Sequence, residues 1–183
     1  MTGKILAIVI VVAAVLGGAL MYYLQVYGFY EEVPSSGADD VMLTIVSSGA
    51  PEPILAENFR GIDAESSPLR YRACFDTPMS QAMLTETYEL HENPVPLVAP
   101  GWFDCYDATA IGGALEAGDA LAFLGTANVT YGFDRVEADF PHGRGFVWHQ
   151  INECCEELLD ANPPPPGCPP PVSYTHLTLP TNT

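Results

Sequence analysis

The residues best suited to acid–base chemistry are His149, in the stretch FVWHQIN, and the carboxylates Asp134 and Asp139 upstream of it. An imidazole titrates near neutrality and a carboxylate can orient it, so such a couple suits proton transfer. His149 also alternates with Val147 and Ile151, the pattern of a strand face turned inward, and a hydrogen-bonded core histidine is the competing account. No serine or cysteine has a recognisable nucleophile setting, so triad chemistry has no support. Met79, Met83 and His91 carry the thioether and imidazole groups that suit copper. The spacing of the two methionines is equally that of a buried helix face, where Met fills space well. Asp104-Cys105-Tyr106-Asp107 lacks the pattern of a calcium loop, and its last aspartate reads as a helix cap. Asn128-Val129-Thr130 matches a glycosylation sequon, a match too short to carry weight. None of these groups implies a cofactor or a structural metal.

Cys74, Cys105, Cys154, Cys155 and Cys168 contain no C-x-x-C pair, which leaves zinc ribbons and thioredoxin-like chemistry unsupported. Outside the cytoplasm they read as disulfides. The preferred pairing is Cys74–Cys105 with Cys154–Cys168. Cys155 can replace Cys154 as the partner of Cys168, or join two molecules into a dimer; a vicinal 154–155 bridge is strained. Sequence alone does not decide between them.

That compartment rests on an apolar run. Ile5 to Leu24 contains no charged residue, and as a helix it spans about 30 Å, the hydrocarbon thickness of a bilayer. Tyr22, Tyr23, Tyr27, Phe29 and Tyr30 follow as an aromatic belt, and Lys4 on the other side predicts a cytoplasmic N-terminus. A cleaved signal peptide with a Gly17-Gly18-Ala19 site is the rival; the run exceeds the usual 7–15-residue apolar core of such peptides. Everything beyond the run holds five arginines against 23 carboxylates, a formal charge of −18. So acidic a surface repels phosphate backbones and anionic lipids, which argues against nucleic-acid and peripheral lipid binding. Its plain use is solubility.

The elements that must position these groups follow from pattern. Residues 1–30 form the anchor, and 31–40, rich in Pro, Ser, Gly and acids, a solvated linker. Residues 41–161 suit one α+β domain. Val41–Val46 and Leu69–Phe75 read as strands, the second with Leu69, Tyr71, Ala73 and Phe75 on one buried face and Arg70, Arg72 and Cys74 on the other. Thr77-Pro78 predicts the start of a helix running to about Tyr88, with Met79, Met83 and Leu84 inward. Prolines make Glu89–Trp102 a loop. Asp107 caps a helix over Ala108–Ala117, with Ile111, Ala114 and Leu115 inward, and Gly118 stops it. A Cys74–Cys105 bridge would then clamp the starts of both helices together. Strands over Ala120–Leu124, Val129–Phe140 and Arg144–Ile151 follow, with a hairpin at Pro141-His142-Gly143 and a β-bulge or bend near Gly132–Asp134 where the inward parity slips. Helices inserted among strands, then a meander, predict a mainly antiparallel sheet.

Residues 162–171 are a proline-rich tail, with PPPPG reading as a stiff spacer. Residues 172–183, VSYTHLTLPTNT, look like a translated transposon-library sequencing adapter and are set aside from functional reasoning.

The opening MTGKILAIVIVVAAVLGGALMYYLQVYGFYEEV, together with FRGIDAESSPLRYRACF, WFDCYDA and FVWHQIN, resembles an uncharacterised alphaproteobacterial family of small membrane-anchored proteins carrying a domain of unknown function. The resemblance implies a bacterial inner membrane and a periplasmic domain. It supplies no active site or substrate, and its single cysteine at the position of Cys154-Cys155 implies that Cys155 is the spare. The expectation is a non-enzymatic module that binds or scaffolds another envelope component. An envelope hydrolase using His149, and a small-ligand or metal sensor, are the alternatives.

Overall fold

In the computed structural model, residues 2–155 and Pro163, Pro165, Pro166, Cys168 and Pro169 are described. Helix α1 (Thr2–Tyr23) continues through a wider π turn, Leu24–Gly28. It is the one helix among the described residues long and apolar enough to cross a membrane, and it buries none of its length in the protein. A signal sequence meets the same criterion.

The domain is built on a six-stranded antiparallel sheet. Its strands are β1 (Glu31–Val33), β4 (Glu57–Asp63), β5 (Arg72–Asp76), β8 (Arg144–Ile151), β7 (Phe133–Asp139) and β6 (Leu121–Thr130), in that spatial order. A separate hairpin, β2 (Met42–Thr44) with β3 (Pro51–Pro53), and two helices, α2 (Gln81–Thr87) and α3 (Ala108–Ala117), cover its faces. The fold is therefore α+β with a mainly antiparallel sheet.

Both faces of the sheet are buried. On one, Val41, Leu43, Leu84 and Tyr88 pack against Tyr71, Ala73, Phe75, Phe123 and Val147. On the other, Phe103, Tyr106 and Ile111 cover Ile62, Cys74, Val136, Ala138 and Trp148. This corrects the expectation that one face of Leu69–Phe75 stays polar. Pro68–Arg70 is a 3₁₀ turn, and β5 alternates into two cores. Arg72, only 3% exposed, is accommodated because its guanidinium donates to the backbone oxygens of Leu69, Tyr71, Leu97 and Val98. An Arg so capped by carbonyls keeps its hydrogen bonds while losing water.

Other expectations shift in detail. The spacer of 31–40 is shortened, because Glu31–Val33 pairs with Gly61–Asp63 at the sheet edge. The first domain helix starts at Gln81, not Thr77, with the Ser80 hydroxyl accepting from Met83 N–H. That rotates Met83 to 51% exposure, while Leu84 is fully buried and Met79 packs on the core from outside the helix. The β-bulge or bend near Gly132–Asp134 is a chain reversal: β6 runs on to Thr130, and Gly132 at φ +83° turns the chain into β7. The hairpin at Pro141-His142-Gly143 forms, with Gly143 at φ +80°, a value that favours glycine. Asp107 caps α3 through Thr109 and Ala110 N–H, and Gly118 closes it in the left-handed conformation.

The disulfides are Cys74–Cys105 and Cys154–Cys168, with Cys155 free. The first ties mid-β5 to the loop ahead of α3. Because α2 begins further on, it does not clamp the start of that helix. Cys155 packs against the backbone of Gly132 and is half-buried. The proline-rich tail is described only at five positions, and the adapter-like stretch lies outside the described residues.

Candidate functional site

A concavity lies where the β6–β7 turn, the end of β8 and the loop after Leu90 meet, against Pro165, Pro166 and Cys168 of the bridged segment. Its volume is about 700 Å³, within the range of small-molecule sites.

One wall is a hydrogen-bonded platform of short polar side chains. Asn128, at φ +50°, accepts from Gly132 N–H through its Oδ1, closing the turn, a conformation that Asn tolerates. Asp134 Oδ1 accepts from Asn128 N–H (2.8 Å) and from Asn152 Nδ2 (2.7 Å). Asn152 Oδ1 in turn accepts from Cys154 N–H and Cys155 N–H. The turn from Asn128 to Asp134 and the segment 152–155 are thus locked together. The facing wall is fixed by Gln150, which accepts from Val95 N–H and Trp148 Nε1 and donates to Asn93 O.

His91 lines this cleft. Its backbone is anchored by donation to Ala122 O (2.8 Å), and its Nδ1 is buried without a hydrogen-bond partner among the described residues. Burial pulls the His91 pKa below the ordinary histidine value, opposed by the negative charges of Asp134 and Glu89. At neutral pH the ring is therefore largely uncharged, with its Nδ1 shielded from solvent. Among the described residues, Asp134 and Glu153 are the carboxylates of the lining, and no Lys or Arg contributes to it. Cys154 and Cys168, also in the lining, are consumed by their disulfide, so the described residues offer no thiol nucleophile here. The arrangement is suited to holding a polar molecule through many weak, directional bonds.

His149 lies elsewhere, beside a second hollow of about 400 Å³ that Ser67 and Arg135 also line. Its Nδ1–H donates to Pro68 O (2.7 Å) and its Nε2 accepts from Arg135 Nε (3.0 Å). Tyr71 stacks on the ring at 4.7 Å, with the Arg135 guanidinium 4.2 Å over Tyr71. Burial first, then the Arg135 charge, lower its pKa to about 4. Both nitrogens are thus occupied. The register pairs His149 with Arg135 and Gln150 with Asp134, so Asp134 belongs to the opposite strand parity. Asp139, four residues along β7 from Arg135, is fully buried in the core. Neither carboxylate forms a couple with His149.

The copper ligand set is also dispersed, with Met83 exposed on α2, Met79 on the core and His91 in the cleft. Asp104 pairs with Arg60 (2.9 Å) instead of joining Asp107. Among the described residues, no three His, Cys, Asp or Glu side chains gather closely enough to hold a metal ion. Sequence reasoning missed the amide platform. Its one signal was Asn128 followed four residues later by Gly132, which marks a side-chain-closed turn.

A family model, described as a family of unknown function (DUF6446), matches residues 41–169. No curated protein and no solved structure matches the chain.

Proposed function

The chain belongs to this family of unknown function, and on that premise we propose that it is a single-pass bacterial inner-membrane protein whose acidic periplasmic domain binds a polar, neutral or cationic ligand in the His91–Asp134 cleft. The observation that carries the reading is that cleft: about 700 Å³, lined among the described residues by two carboxylates, an imidazole and several amides, with no cationic side chain. A site of that sign attracts amines and rejects anions. Two disulfides support an oxidising compartment, and the single lysine, Lys4, just ahead of the apolar run Ile5–Leu24, supports an inward N-terminus. The adapter-like 172–183 has no part in it. A binding or scaffolding role fits better than hydrolysis, since both His149 nitrogens are hydrogen-bonded and the described lining of the cleft holds no free thiol or serine.

The test is calorimetric titration of the detergent-solubilised full chain with polyamines, basic peptides and neutral oligosaccharides, beside Asp134→Asn. Asn at 134 can still accept the two platform hydrogen bonds but lacks the charge. Saturable binding that weakens at least about tenfold in D134N supports the reading, tenfold being about 1.4 kcal/mol. A folded protein that binds no member of the panel, or binds equally well as D134N, refutes it.

A further inference from the structure

We propose that the loop carrying Val98 and Trp102 lies in the headgroup zone of the bilayer that α1 crosses, so that the domain is seated on zwitterionic phospholipid instead of standing off in water. This rests on the membrane-anchor part of the proposed function.

The argument begins with level. Ile5–Leu24 fills the hydrocarbon, so the turn Leu24–Gly28 emerges at the headgroups. Trp102 Nε1 donates to Val26 O (2.6 Å), its ring stacks on Tyr27 at 6.3 Å, and Tyr30 meets it edge-on at 5.9 Å. A residue in direct contact with Val26 and Tyr27 shares their depth. Indole and phenol rings favour that depth, where one end is apolar and the other wet.

The loop is also held rigid with its apolar groups outward. Arg72 donates to Leu97 O (2.8 Å) and Val98 O (3.2 Å), Gln150 holds Val95 N–H, and the Cys74–Cys105 bridge fixes the far end. Yet Val98, four residues before Trp102, is 80% exposed. A pinned loop that presents Val and Trp beside a membrane span is complementary to lipid, not to water.

Charge selects the lipid. Arg70, over the Tyr30 ring at 5.4 Å and donating to Gln25 O, is a cation at the junction able to meet a headgroup phosphate. Arg60 is already paired with Asp104, and Glu31 and Glu32 follow Tyr30 directly. One cation beside several carboxylates suits a zwitterionic headgroup and gains nothing from an anionic one.

The chain has two tryptophans, and Trp148 is fully buried. Full-length protein and W102F are therefore reconstituted in phosphatidylcholine vesicles brominated either near the headgroup or at the chain end. The wild-type-minus-W102F emission isolates Trp102. The expected result is blue-shifted emission, quenched most by bromines near the headgroup and shielded from aqueous acrylamide. V98D is expected to weaken the bromine quenching with its near-ultraviolet circular dichroism unchanged. Trp102 emission open to acrylamide and untouched by both bromolipids overturns the proposal. Washing the vesicles at alkaline pH separates the two readings: release of the protein sinks the anchor and the seating together, whereas retention with unquenched Trp102 sinks the seating alone.

Discussion

Glu137 and Asp139 stand two residues apart on one face of β7, both fully buried, and none of their four carboxyl oxygens has a hydrogen-bond partner among the described residues. They face the core beneath α2, where Gln81 Nε2 reaches only the backbone oxygen of Asp139, and Tyr88 donates its hydroxyl proton to Glu52. Desolvation pushes the Glu137 pKa well up, with the Asp139 charge adding to it, and raises Asp139 from 3.8 to about 7. Folded pKa values above the unfolded ones mean that the folded state holds more protons. Stability from these groups is therefore complete at acid pH and is lost as pH climbs from about 4 through about 7. The melting temperature should fall between pH 5 and pH 8, about where that loss is largest. E137Q/D139N should flatten that slope and melt higher than wild type at pH 8; an unchanged slope would show that the pair is ionised without cost.

His149 acts in the opposite direction. Its folded pKa of about 4 lies below the ordinary 6.5, so its stabilisation is present above 6.5 and is lost as pH falls through about 4. Nitrogen-detected spectra of labelled protein should report a neutral ring protonated on Nδ1, as its bond to Pro68 O requires, with no titration down to about pH 5. A ring titrating near 6.5 would mean that the Arg135 contact does not persist.

Arg72 holds four backbone carbonyls in a buried setting, so R72M should cost about 3 kcal/mol or more, charged hydrogen bonds being worth about 1.5–3 kcal/mol each. Urea unfolding measures this. A loss below about 1 kcal/mol, within the usual scatter of surface substitutions, would make the guanidinium incidental.

The disulfides should differ in their contributions. With 31 residues of separation against 14, the loop-entropy relation gives about 3.7 kcal/mol for Cys74–Cys105 and about 3 kcal/mol for Cys154–Cys168. Paired serine substitutions should rank in that order by denaturation. Peptide mapping of unreduced protein should find both bridges, with Cys155 alone open to alkylation.

Some of this was set by local chemistry. Twenty uncharged residues from Ile5 to Leu24 satisfy their backbone only as a helix, Asp107 and Gly118 bracket α3 through their own side-chain and φ preferences, and Gly143 makes a tight reversal. Each needs neighbours only a few residues away, so one dimension suffices. The burial of both faces of β5 did not follow from its alternation, because Arg72 and Cys74 become core residues only through Leu97, Val98 and Cys105. The Tyr131-Gly132 reversal likewise mimicked a bulge, since either flips side-chain parity. The site was the least legible. His91 and Asp134 meet because a backbone bond to Ala122 on β6 and the turn into β7 carry them to one end of the sheet. That meeting is a consequence of strand register, which depends on long-range pairing; residue type alone told only that either could do chemistry.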